Sequence, residues 1–108
     1  MVLCSDLVDV VWSDDRGVRR KTTAILEEIA PAGAMVLLDM DRPPRRIETV
    51  VIQPLGYSGR ARRCRLSTSG YRMEIDFDPG VRWQLSDYRP CHAFDPRSLP
   101  APVRNISP

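Results

Sequence analysis

The chain has one histidine (His92), one lysine (Lys21) and three cysteines in 108 residues. A single histidine near the C-terminal end leaves no Ser-His-Asp arrangement in view. Cys4, Cys64 and Cys91 show no CxxC spacing, and with one histidine they make no zinc ligand set. A sparse, odd set of thiols fits a reducing compartment. No run approaches the roughly 18 apolar residues that span a bilayer. The opening Met1-Val2-Leu3-Cys4-Ser5-Asp6 lacks the basic and apolar regions of a signal peptide. The adjacent acids Asp14-Asp15 and Glu27-Glu28 read as solvated charges, because strand neighbours point to opposite faces and make no two-carboxylate site. Cys91-His92 are loop neighbours without the geometry of a nucleophile and base. The expectation is a cytoplasmic, non-enzymatic domain with no metal, no cofactor and no membrane segment.

What is present fits one small globular unit. A length of 108 residues accommodates a single core, and 43% hydrophobic residues is ordinary for a folded domain. The net charge of +2 selects no partner by itself. The basic residues are fifteen arginines against the one lysine. Arginine supplies planar forks that grip phosphates, carboxylates and guanine edges bidentately. Residues 1–99 read as the domain. Residues 100–108, with Pro100, Pro102 and Pro108 and little apolar bulk, read as a flexible tail.

The punctuation along the chain predicts strands. Leu7–Trp12 is β-branched and aromatic, and Ser13–Gly17 makes a hairpin loop in which Gly17 supplies positive φ. Val18–Ile29 returns as a second strand, because its β-branched residues and the break at Pro31 and Gly33 outweigh the helix propensity of Ala24–Glu28. Ala34–Asp39, Ile47–Gln53 and Tyr57–Leu66 follow, with Met40–Arg46 as a loop around Pro43-Pro44. Tyr71–Phe77 alternates most cleanly, with Tyr71, Met73, Ile75 and Phe77 on one face. Asp95-Pro96 is placed to cap one helical turn. Short strands at close spacing with Gly/Pro turns predict an all-β fold, a small six-stranded antiparallel β-barrel with a short irregular C-terminal tail. Trp12 and Trp83 read as core or barrel-end plugs.

Two features stand out as candidate sites. Between Arg42 and Arg65 there are seven arginines (Arg42, Arg45, Arg46, Arg60, Arg62, Arg63 and Arg65) against one acid, Glu48. Regular alternation puts Arg60 and Arg62 on a face with Cys64, and Arg63 and Arg65 on the other with Ala61. The patch Arg60, Arg62, Arg63, Arg65 suits phosphate, nucleic acid or an acidic partner. Nucleic acid is disfavoured by the lack of exposed aromatics or a groove-reading helix. The second feature is the turn Glu28-Ile29-Ala30-Pro31-Ala32-Gly33-Ala34, together with Arg16, Arg19 and Arg20 upstream.

On these residues the chain resembles the PilZ family of small six-stranded signalling barrels. Thr23–Ala34 is similar to the family's second strand, (D/N)xSxxG turn and third strand. Tyr57–Cys64 with Gly70–Phe77 resembles a late hairpin. Trp83 and Tyr88–Pro96 resemble the tail of a PilZ-like subgroup. The resemblance implies a bacterial regulatory module that binds cyclic di-GMP, with Arg16, Arg19, Arg20, Glu28 and Gly33 as ligand residues. Arg16 and Arg20 have the RxxxR spacing. Gly33 fills the motif's glycine, Glu28 stands where Asp or Asn is expected, and Ala30 stands where Ser is expected. The family's arginine arm precedes its first strand, whereas Met1–Asp6 holds no arginine. These departures favour weakened or lost nucleotide binding and action through an unidentified protein partner. A working cyclic di-GMP sensor is the alternative.

Overall fold

The computed structural model describes residues 1–14, 16–40 and 49–95. Six strands are formed: β1 (Val2–Ser13), β2 (Arg19–Ala30), β3 (Gly33–Leu38), β4 (Thr49–Gln53), β5 (Tyr57–Ser67) and β6 (Gly70–Phe77). All pairings are antiparallel, and they close a barrel in the order β1-β2-β3-β6-β5-β4. The expected all-β six-stranded barrel is thus the observed fold, and there is no helix among the described residues. Pro96, residues 41–48 and the 100–108 tail lie outside the described residues, so the capped turn, the loop around Pro43-Pro44 and the tail do too.

The core follows from alternation. Val8, Val10 and Trp12 on β1 point inward against Ala24 and Leu26 on β2, Val36 and Leu38 on β3, Val50 and Ile52 on β4, and Met73 and Ile75 on β6. Burying a side chain of this kind stabilises by roughly 1.5–3 kcal/mol relative to leaving it exposed. Closure leaves these residues in one continuous apolar interior.

Several boundaries differ from expectation. β1 begins at Val2 rather than Leu7, because Val2 and Leu3 pair with Ile29 and Glu28. A register shift between Leu3 and Asp6 breaks the alternation there and hides the strand from a periodicity reading. β2 starts at Arg19 and runs through Ala30, while Val18 donates to Asp14 within the hairpin. Gly17 has φ 77°, as the hairpin requires.

The segment after β6 closes one barrel end. Trp83 is buried, its indole N–H donates to the Tyr88 carbonyl at 2.8 Å, and its backbone N–H donates to the Pro31 carbonyl at 3.0 Å. Tyr88 donates its hydroxyl to Asp6, and burial together with that bond raises the phenol above its ordinary value. Leu3 and Phe94 exchange backbone hydrogen bonds of 2.6 and 2.7 Å, which pins the strap to β1. Trp83 is therefore the plug expected of it, and Trp12 belongs to the core.

Strand approach is close at Gly33. A Cβ there would lie 2.6 Å from the Ile75 carbonyl oxygen, a backbone atom with no freedom to move aside. The β3–β6 pairing thus demands glycine whether or not a ligand is present. Gly33→Ala is expected to destabilise the protein by about 1–3 kcal/mol in denaturant unfolding, the usual cost of forced overpacking. An unchanged midpoint would mean that β3 and β6 stand further apart.

Candidate functional site

The outward face of β2, β3, β6 and β5 carries charged side chains in register. One row runs Ala30, Gly33, Asp76, Arg60, and the next runs Glu28, Met35, Glu74, Arg63. A third continues from Leu7 on β1 through Ile25, Leu37 and Arg72 to Arg65. Side chains directly opposite in antiparallel strands share a face, so each row is a line of neighbours.

Two bulges determine how much charge this face holds. On β5, Ala61 pairs with Ile75 and Arg63 with Glu74, leaving Arg62 as the extra residue. Regular alternation from Arg60 is therefore not what occurs. The bulge returns Cys64 to the inward parity of Ala61, opposite Met73, and Arg60, Arg63 and Arg65 share the outer face. On β2 a shift falls between Leu26 and Glu28, so Leu26 and Ile29 are both fully buried while the acids between them face out. The expectation that Glu27 and Glu28 point to opposite faces fails for the same reason. Glu27 accepts from Arg72 Nε at 2.7 Å and from Nη2 at 3.4 Å, a two-pronged contact spanning β2 and β6.

A groove of about 400 Å³ lies over the first two rows. Glu28, Gly33, Met35, Arg62, Arg63 and Glu74 are among the residues that line it. Arg62 and Arg63 are sequence neighbours, yet both reach it, which an unbulged strand would not allow. Among the described residues neither has an ion-pair partner, whereas Arg65 lies 3.7 Å from Glu74. The groove thus has an arginine wall from β5, an acid at Glu28 on β2 and the Met35 side chain between them. A smaller cavity of about 190 Å³ adjoins it, sharing Met35, Arg63 and Glu74.

The ligand residues expected from the sequence fall into two separated groups. Glu28 and Gly33 line the groove at the β2–β3 end. Arg16, Arg19 and Arg20 belong to the β1–β2 hairpin, with Arg19 and Arg20 opposite Ser13 and Trp12. Arg20 and Glu28 are eight positions apart on one extended strand, about 26 Å at roughly 3.3 Å per residue. These arginines and Glu28 do not converge. Arg20 is instead occupied locally, its Nε donating to Asp14 Oδ2 at 3.1 Å. Of the basic patch, Arg62 and Arg63 enter the groove, Arg60 stands opposite Asp76 at its margin, and Arg65 lies in the next row, opposite Arg72. Arg42, Arg45 and Arg46 lie outside the described residues.

Met35, Glu74 and Asp76 were not singled out from the sequence. The alternation of Tyr71–Phe77 already put Glu74 and Asp76 on the outer face, but only strand register shows which residues stand beside them. Among the described residues no group of three or more His, Cys, Asp or Glu is placed to hold a metal, and no helix is long and apolar enough to cross a membrane. All three cysteines are free thiols. Burial, reinforced by Asp6, Glu28 and Glu27, raises the Cys4 thiol to about 11, so it stays protonated and donates to the Leu26 carbonyl at 3.3 Å. Comparison with protein-family models, curated proteins and solved structures returned no match.

The hairpin carries a titratable lock. Asp14 Oδ1 accepts the backbone N–H groups of Val18 and Arg16, each at 2.9 Å. The Val18 bond, then those from Arg16 and Arg20, hold the carboxyl below its ordinary 3.8. A lowered folded value means that the contribution is present above 3.8 and is lost as pH falls through the folded value. The amide shifts of Arg16 and Val18 are expected to titrate together with a midpoint below 3.8. A midpoint at or above that value would mean that the carboxylate does not hold this turn.

Proposed function

We propose that this chain is a non-catalytic regulatory module of the PilZ type that acts by contact with a protein partner and has lost the capacity to hold cyclic di-GMP. The observation that carries the reading is the separation of Arg16, Arg19 and Arg20, in the hairpin and at the start of β2, from Glu28 and Gly33 at and beyond its far end. A cyclic dinucleotide needs guanine and phosphate contacts within one cradle, and residues at opposite strand ends do not share one. Two further points support it. Ala30, in the groove lining, offers no hydroxyl, and the close approach of β3 and β6 accounts for Gly33 without a ligand. The free cysteines suit a cytoplasmic setting.

A specific observation favours a second reading. Arg62 and Arg63 lie in the same groove as Glu28, whose volume falls within the roughly 300–1,000 Å³ of small-molecule sites. On that reading the β5 arginines replace the missing arm and the domain remains a cyclic di-GMP sensor. Calorimetric titration separates the two. No saturable heat is expected with cyclic di-GMP at high micromolar concentration. Saturable heat that disappears in Arg63→Ala would establish the sensor.

A further inference from the structure

The groove is electrically asymmetric, and its asymmetry specifies what fits. Along the row Glu28, Met35, Glu74, Arg63 the strand order is β2, β3, β6, β5. Neighbouring strands lie about 4.8 Å apart, so Glu28 and Arg63 stand roughly 14 Å apart, with Met35 about one strand in from Glu28. The arginine end is doubled by Arg62 and carries no ion pair among the described residues. Among the described residues Glu28, at the other end, has no ion-pair partner either. Between them Glu74 is drawn toward Arg65, 3.7 Å away, which leaves Met35, nearer the Glu28 end, as the apolar contact.

An all-acidic ligand would meet Glu28, Glu74 and Asp76, and an all-basic one would meet Arg62 and Arg63. A ligand that satisfies both ends carries one charge of each sign. In an extended peptide, residues i, i+2 and i+4 project on one face, and i to i+4 spans about 14 Å. That span equals the distance across the row.

We propose that the groove receives an extended segment of a partner protein lying across the strands. The segment presents an acidic residue to Arg62 and Arg63, an aliphatic residue two positions along to Met35, and a basic residue two further to Glu28. This proposal rests on the protein-contact reading and adds the chemistry of the partner and the place where it docks. Complementary charge at both ends fixes which segment binds and in what alignment more than it adds affinity.

The test uses the whole chain, isotope-labelled for NMR, and three capped pentapeptides: Glu-Ser-Leu-Ser-Lys, Glu-Ser-Leu-Ser-Glu and Lys-Ser-Leu-Ser-Lys. The mixed-charge peptide is expected to shift the amides of Met35, Glu74 and Arg63. It should bind about threefold to fivefold more tightly than either single-sign peptide, the factor set by one exposed ion pair. Glu28→Lys should transfer the preference to Glu-Ser-Leu-Ser-Glu. Arg63→Ala should weaken the mixed peptide by about threefold. A switch of preference cannot come from misfolding, so it carries the test even if one variant is less stable. Equal binding of all three peptides, no binding, or shifts confined to another face would overturn the proposal and leave the protein-contact reading standing. Saturable occupation of the same amides by cyclic di-GMP would overturn both.

Discussion

Barrel closure is the constraint on which the rest depends. Six strands can share one interior only if their inward side chains fill it and every register is met around the ring. The chain meets this with Val10, Leu26, Val36, Ile52, Met73 and Ile75 buried from β1, β2, β3, β4 and β6. β5 adds no fully buried large side chain: near the interior it has the half-buried Tyr57 at its start, then Gly59 and Ala61, and it carries arginine outward. A strand so poor in core residues is held by its neighbours, with β4 pairing along Tyr57–Arg60 and β6 along nearly its whole length. Its outer face is correspondingly free to be charged.

The bulges at Glu27 and Arg62 reconcile closure with this charge. Each adds one residue to a strand without moving the inward side chains out of phase. On β2 the inserted residue lets Leu26 and Ile29 both face in across two acids. On β5 it lets Arg62 and Arg63 both face out. The groove is therefore a by-product of how two long strands fit a small barrel. Its opposed charges stand where those two insertions fall. The Trp83 strap acts at the same end of the ring: it binds the β2–β3 turn through Pro31 and the start of β1 through Leu3 and Asp6.

Much of the fold was legible because closure imposes strict alternation, and Tyr71–Phe77 displays it plainly. Hairpin punctuation was legible too, since Gly17 supplies the positive φ that its turn requires. The full extent of β1 was not, because its irregularity between Leu3 and Asp6 interrupts the period that betrays a strand. The faces of β5 were misassigned because a bulged arginine has no local signature. Nothing in Arg60-Ala61-Arg62-Arg63-Cys64 distinguishes an inserted residue from a regular one; only pairing with β6 does. The gap between Arg20 and Glu28 could be read from the sequence once both were on one strand, as eight extended residues cannot bring them together. The placing of Glu28 and Arg63 along one groove could not, since it depends on β3 and β6 lying between β2 and β5.

Most depends on the register at Arg62, because it creates the arginine wall and aligns it with Glu28. Inter-strand backbone NOEs test it most directly. The contacts expected pair Ala61 with Ile75 and Arg63 with Glu74, with Arg62 matched to no β6 residue. Contacts pairing Arg62 with Glu74 and Arg63 with Met73 would show an unbulged strand and would turn Arg63 away from the groove.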